Sequence, residues 1–181
     1  MKHPMLRHLF MEWNRQRGDR AAPERALISP ANIAGALPDV LTLALDATSG
    51  HLIRLAGSRT CAMFGRELRG SAFVELFAAP DRDAIALLIA EIAESQAPAL
   101  AQLMGMSVDH GELALELLLL PLLVDGATHA QMLCGLAGPE TPWWLMGDPV
   151  RELHIRSVHH LHNGVEHDVS RRCANLGKGV A

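Results

Sequence analysis

The sequence has no tyrosine, and aromatic residues make up only 4% of its 181 positions. Its core must therefore be built from Leu, Ile, Val, Ala and Met rather than from stacked rings. Cysteine is scarce too: Cys61, Cys134 and Cys173 are odd in number, far apart, and without Cys-x-x-Cys spacing. That excludes a disulfide framework and the common zinc motifs, and suits reduced thiols. No run is long enough to cross a bilayer. The most apolar stretch, 113–124, is twelve residues long and contains Glu116 and Pro121, whereas a spanning helix needs about 20 apolar residues. Residues 1–10 carry Lys2, His3, Arg7 and His8 and lack the apolar centre of a signal peptide. A cytoplasmic protein with no membrane insertion is the expectation. Basic excess is also missing. The net charge is −4, and the short basic runs at 15–20 and 171–172 are too small to form a phosphate-binding face, so nucleic acid is not an expected partner.

What is present is an ordinary globular composition, 49% hydrophobic and 20% charged. A chain of this length fits one domain with terminal segments, and it can bury roughly 70% of its unfolded surface without cross-links. The expected divisions are an N-terminal helix (1–18), a connector (19–38), a core (39–140), a C-terminal extension (141–163) and a mobile tail (164–181).

Pro4 suits a first helical turn. Met5, Leu9 and Trp13 then recur at i, i+4 and i+8, with Leu6 and Phe10 beside them, before Gly18 stops the helix. A stripe this wide must be covered. The sequence favours a homodimer through Met5, Leu6, Leu9, Phe10 and Trp13; folding back onto its own sheet is the alternative. Pro23, Pro30 and Pro38 mark the connector, with one helical turn after Ser29.

Residues 41–45 and 51–56 read as a hairpin around a turn at 46–50. Short helices follow at 59–64 and 71–77. A longer one, capped by Asp81 and ending near 95, carries the stripe Ile85, Leu88, Ile89 and Ile92. Strands at 98–108, 112–122 and 129–137 are separated by turns at Asp109-His110-Gly111 and Asp125-Gly126. The middle strand is apolar on both faces, so it must be covered on both sides. In the last strand Met132, Cys134 and Leu136 share one face, and Gln131, Leu133 and Gly135 the other. The fold class is α/β of the α+β kind: a five-stranded antiparallel sheet with helices on one face, plus an amphipathic N-terminal helix. Of Trp143 and Trp144, one should pack and one should face out. Residues 150–161 alternate as a strand at Leu153 and Ile155 yet also fit a helix face; extended structure is preferred.

The blocks IRLAGSRTCAMFGRELRG, LLLLPLLVDGATHAQMLCGLAG and PWWLMGDPVRELHIRS, with the lead-in ERALISPANIAGALPDVLTLAL, carry a resemblance. Over most of 24–157 the chain resembles the standalone PAS-domain proteins common in alphaproteobacteria. Phe64-Gly65-Arg66-Glu67-Leu68 with Gly70 is the most distinctive block, followed by Leu119-Leu120-Pro121-Leu122. Leu123 departs from the polar or basic residue expected there. The resemblance implies a PAS-like core and a sensory or regulatory adaptor with no attached kinase or cyclase and no shared catalytic residues. Gly57 and Gly65 read as positions of tight backbone geometry, and Pro121 as a limit on ladder pairing.

Residues 81–96 contain no His, so the axial ligand that haem-binding PAS domains draw from this helix is missing. Cys61, between Thr60 and Ala62, lacks the Asn-Cys-Arg motif of flavin photosensors and reads as a small buried hydrophobe. His154, His159, His160, His162 and His167 match no zinc spacing and read as exposed. Ser58, Ser71 and Ser107 lack a nucleophile elbow. Glu112 and Glu116 read as a solvent-facing ladder rather than an acid–base pair. Gly65 and Gly70 are too far apart for a dinucleotide fingerprint. No enzyme activity, cofactor or metal is expected. An inner pocket would be lined by Leu43, Ile53, Leu55, Phe64, Leu76, Leu88 and Met132, with Arg54 and Gln131 orienting a small-molecule ligand; a filled core has the same lining. The function expected is a sensor that signals to a partner protein, with a ligand-free interaction adaptor as the alternative. Purified protein should show no visible absorption band and no stoichiometric zinc in elemental analysis. A band or a bound metal would overturn this reading of the His and Cys positions.

Overall fold

A computed structural model of the chain describes residues 1–139, 142–162 and 165–168. Helix α1 spans Pro4–Arg17 and ends at Gly18, whose φ of 55° suits a residue without a Cβ. The sheet is antiparallel throughout. Its strands are β1 (Val40–Ala44), β2 (Ile53–Ala56), β3 (Ala99–Met106), β4 (Glu112–Val124), β5 (Ala127–Ala137), β6 (Glu152–His162) and β7 (Val165–Asp168), in the order β2-β1-β5-β4-β3-β6-β7. Between β2 and β3 run α2 (Ser58–Met63), two 3-10 turns (Phe73–Leu76 and Ala79–Asp81) and α3 (Arg82–Ser95). The five expected strands and the helical block occur in the expected order. β6 and β7 extend the sheet beyond five. β7 lies in the segment expected to be a mobile tail, while 169–181, including Cys173, lies outside the described residues.

β4 decides the layering. It is buried continuously from Leu115 to Leu122. On one face Leu115, Leu117 and Leu119 pack with Leu41, Leu43, Met132, Cys134 and Leu136 beneath Ile85, Leu88, Ile89 and Ile92 of α3. On the other, Leu118, Leu120 and Leu122 pack with Val40 and Leu133 beneath Leu6, Leu9 and Trp13 of α1. Full burial of one such side chain is worth roughly 1.5–3 kcal/mol, so neither layer is dispensable. The two-residue turn at Asp125-Gly126 closes the β4–β5 hairpin with both residues at positive φ. Pro121 lies past Leu119, the last β4 residue paired with β3, so its missing N–H costs no bond to that neighbour.

α1 therefore covers its own sheet. Leu6, Leu9 and Trp13 are each 1% exposed within a single chain. Met5 and Phe10 pack partly against the same cluster. Trp13 Nε1 donates to the Pro121 carbonyl at 2.8 Å, and the Phe10 ring lies 6.2 Å from Trp13. The stripe expected to join two subunits is thus used within the chain, and the homodimer drawn from it loses its basis. Gly135 makes the fit possible: a Cβ there would come within 2.5 Å of Leu6 Cδ2 and 3.0 Å of Leu9 Cδ2.

Two β-bulges re-aim side chains. Leu43 pairs with Ile53 but Thr42 pairs with Leu55, which leaves Arg54 as the extra residue. Leu103 pairs with Ile155 but Gln102 pairs with Ser157, which leaves Arg156 extra in β6. Asp81, expected as an N-cap, makes no side-chain cap to α3; its carboxylate instead accepts the Ile155 N–H at 3.3 Å.

Replacing Leu9 by Glu should lower unfolding stability by about 3 kcal/mol or more in urea titration, because a charge would enter the α1–sheet interface. The solution mass should not change. A lower mass with unchanged stability would instead place the stripe between subunits.

Candidate functional site

Leu43, Ile53, Phe64, Leu76, Leu88 and Met132 all lie in the cluster between the sheet and α3, and each is 5% exposed or less. The inner lining expected from the sequence is thus brought together, and it is close-packed. Leu55 is the exception. The bulge at Arg54 turns it onto the opposite face across from Thr42, where it is 45% exposed. Arg54 is exposed and Gln131 half-buried. Gln131 pairs with Ala44 and Leu122, on the α1 side of the sheet, so neither polar group points into the inner cluster.

Open space lies elsewhere, at the end of the sheet where the two covering layers meet. α2 starts close against the 3-10 turn Leu37–Asp39. Gly57 has an ordinary φ of −69°, but a Cβ on it would sit 2.3 Å from the Leu37 and Pro38 carbonyl oxygens, so space rather than conformation requires glycine here. That approach sets Arg59 against Asp39. Arg59 Nε donates to Oδ1 at 2.7 Å and Nη2 to Oδ2 at 2.5 Å, a two-pronged pair on a buried carboxylate. Donation to Asp39 raises the Arg59 guanidinium further above its ordinary range.

Beside this pair is a cleft of about 510 Å³. Its walls come from His3 and Met5 at the start of α1, from Arg59, Ala62 and Met63 of α2, and from Leu113 and Leu115 of β4. Leu145 and Met146 close the far side from the 3-10 turn Trp143–Met146. This turn is fastened down. Val150 N–H donates to the Met63 carbonyl at 2.9 Å, and buried Asp148 accepts the N–H groups of Val108, Asp109 and His110 at 2.8–3.1 Å and His110 Nδ1 at 3.0 Å. Burial would raise the Asp148 carboxyl, but the donors, His110 first, hold it well below the usual carboxylate range. Trp144 stacks on His110 at 5.1 Å, whereas Trp143 is 86% exposed. One tryptophan packs and one faces out, as the sequence implied.

α1 is anchored over the cleft by Glu116. This residue is 4% exposed, which corrects the reading of Glu112 and Glu116 as a solvent-facing ladder; Glu112 alone is exposed. Glu116 accepts the backbone N–H of Lys2 at 2.8 Å and of His3 at 3.0 Å, and Gln102 Nε2 at 3.0 Å. The carboxylate thus sits against free N–H groups at the start of a helix. Burial pushes its carboxyl up, but Gln102 and the two amides outweigh this and hold it below the ordinary value. Further along α1, Glu12 is lowered to about 2, chiefly by hydrogen bonding from Arg15, with Gln16 and Asn32 adding to it.

None of the residues expected to bind a ligand lines this cleft; Met5, which does, was expected at a subunit interface. His3, Asp39, Arg59, Leu145 and Met146 were not anticipated, because no motif joins positions so far apart. Cys134 is buried and its thiol is raised by desolvation, which suits an inert core residue; Cys61 is half-buried. His160, expected to be exposed, is 9% exposed with Nε2 3.6 Å from Glu91. His154 lies near Asp81 and Glu152. Among the described residues no three His, Cys, Asp or Glu side chains converge on a metal position, and no helix is long and apolar enough to cross a membrane.

Comparison with known proteins follows the same lines. A family described as "PAS domain" matches residues 1–137. The chain belongs to this PAS-domain family, and the matched stretch takes in α1 as well as the core. The crystal structure of the PAS domain of an HTR-like protein from Haloarcula marismortui is similar at 17% identity and a TM-score of 0.42, over 60% of this chain and 90% of that one. No curated protein matches. PAS domains are generally sensory or regulatory rather than catalytic.

The four lowered carboxylates, Glu12, Asp46, Glu116 and Asp148, contribute to the acid response. Their stabilising contribution is complete above the ordinary carboxylate range near pH ~4 and is lost as pH falls through their folded values. Urea midpoints should therefore fall on acidification, first below about pH 6.5, where His51, held below its ordinary value by burial, must be charged on unfolding, and then more steeply below about pH 5 as the carboxylates protonate. Glu116→Gln should lower the neutral midpoint and flatten the acid slope. A midpoint that rises with acid, or a Gln variant with the wild-type slope, would show that Glu116 is not held as an anion.

Proposed function

We propose that this PAS domain is a non-catalytic sensory module whose ligand occupies the cleft beside the Asp39–Arg59 pair, not the packed inner face. One observation carries the reading: a single cleft is bounded by the covering helix α1, by α2, by the central strand and by the C-terminal turn at Leu145 and Met146. At about 510 Å³ its size falls within the ~300–1,000 Å³ typical of small-molecule sites. A molecule there touches both the sheet and the helix seated on its outer face. Occupancy then changes how firmly α1 and the Trp143–Met146 turn are held, and a second protein reads that change.

A ligand-free adaptor is the second reading. It is favoured by the close packing of Leu43, Ile53, Phe64, Leu76, Leu88 and Met132, and by the exposed pair Trp143 and Met146, which offers a contact surface. Native mass spectrometry of protein purified without denaturation separates the two. The sensor reading expects a small-molecule adduct that is lost when Ala62, an exposed residue of the cleft wall, is replaced by Trp. A bare chain, together with amide exchange in α1 that does not respond to the small-molecule fraction of a cell extract, would sink it in favour of the adaptor.

A further inference from the structure

The polar groups of the cleft select among ligand classes, an inference that rests on the cleft being the ligand site. Asp39 is 5% exposed, and both its oxygens are occupied by Arg59 Nε and Nη2. The pair is therefore close to neutral as a unit. What it leaves available is a donor: Arg59 Nη1 makes no hydrogen bond among the described residues, and guanidinium nitrogens only donate. A second unused group is His3 Nδ1, which is buried and has no partner. A buried polar nitrogen without a partner costs free energy that a ligand can recover. The remaining lining is apolar, from Met5, Met63, Leu113, Leu115, Leu145 and Met146.

Such a site presents one donor at Arg59, a His3 nitrogen whose role follows its tautomer, and no net charge. A ligand carboxylate would have to share the Arg59 charge with Asp39, which cancels most of the attraction while the anion still loses water against apolar walls. An ammonium would have to sit beside the Arg59 guanidinium, which already offsets the Asp39 charge. A neutral carbonyl oxygen meets neither obstacle. We infer that the cleft binds a neutral amphiphile with a carbonyl acceptor, such as an amide, ester or ketone, on a short alkyl body. Its oxygen accepts from Arg59 Nη1, and from His3 Nδ1 in the tautomer that carries the proton there, and the alkyl part lies along Met63, Leu113, Leu115 and Leu145.

The test uses the full chain and three probes of matched length: octanamide, octanoate and octylamine. Calorimetric titration near neutral pH should give octanamide a Kd at least about tenfold below either charged probe, which corresponds to roughly 1.4 kcal/mol. Ala62→Trp should weaken octanamide binding at least about tenfold, with the circular dichroism and melting of the free protein unchanged. Met146→Asp provides a second variant, since Met146 is 88% exposed and contributes little to the core. If octanoate or octylamine binds more tightly and both variants weaken it, the neutral class is wrong while the cleft remains the ligand site. If octanamide binds equally well to both variants, the assignment of the site is wrong. If none of the three probes binds, the ligand class proposed here is overturned, and the native mass measurement decides independently whether the cleft holds any ligand.

Discussion

Leucine on both faces of β4 is the constraint on which the rest of the structure depends. A sheet with one wet face could have ended with α3 and its short companions. Here Leu118, Leu120 and Leu122 face away from α3, so a second layer is required, and α1 supplies it. The consequences reach other elements. Gly135 must be glycine where Leu6 and Leu9 cross β5, and Trp13 must find an acceptor, which it does at the Pro121 carbonyl. Glu116 belongs to the same face as these leucines. A carboxylate buried under a helix is costly unless it is saturated, and the free N–H groups at the start of α1 saturate it. The family match extending back to residue 1 fits a helix that is part of the domain rather than an addition to it.

The strand and helix order was legible because hydrophobic period and turn chemistry agreed. The alternation at Met132, Cys134 and Leu136, the double-sided run in β4 and the Asp125-Gly126 turn each point to a single arrangement. The error in the direction of Leu55 has a specific cause. Counting by twos along β2 places Ile53 and Leu55 together, but Arg54 is an extra residue and Leu55 moves to the other face. In β6, Leu153 and Ile155 precede the bulge at Arg156, and Val158 follows it. The step from Ile155 to Val158 therefore spans three residues while staying on one face. A bulge changes the period by one residue and leaves no compositional mark.

The covering of α1 and the burial of Glu116 were illegible for a different reason. An amphipathic stripe states that something must cover it, but not which molecule does so. Its pattern is the same for a cap and for a dimer. Likewise, Glu112 and Glu116 look alike in sequence. Only the position of α1 above the sheet distinguishes them, since it reaches Glu116 and leaves Glu112 in water. Local patterns fix an element's faces, while the partner of each face is a long-range property.

The cleft follows from the same geometry. Two layers packed on opposite faces of one sheet must meet at its rim, and there neither helix can fill the corner. α2 is short and held near the Leu37–Asp39 turn by the missing side chain of Gly57, and α1 begins only at Pro4. The space between them is bounded by α1, α2, β4 and the Trp143–Met146 turn. The inner cluster, by contrast, sits between one layer and the sheet and contains no residue of α1. On the proposed sensor reading, a molecule at the rim would touch both layers at once, and coupling between two sites requires such a shared element. Its differential affinity sets the limit on how far α1 can be shifted. The Glu116 hydrogen bonds hold the end of α1 that borders the cleft, and the Trp13 bond to Pro121 holds the helix further along.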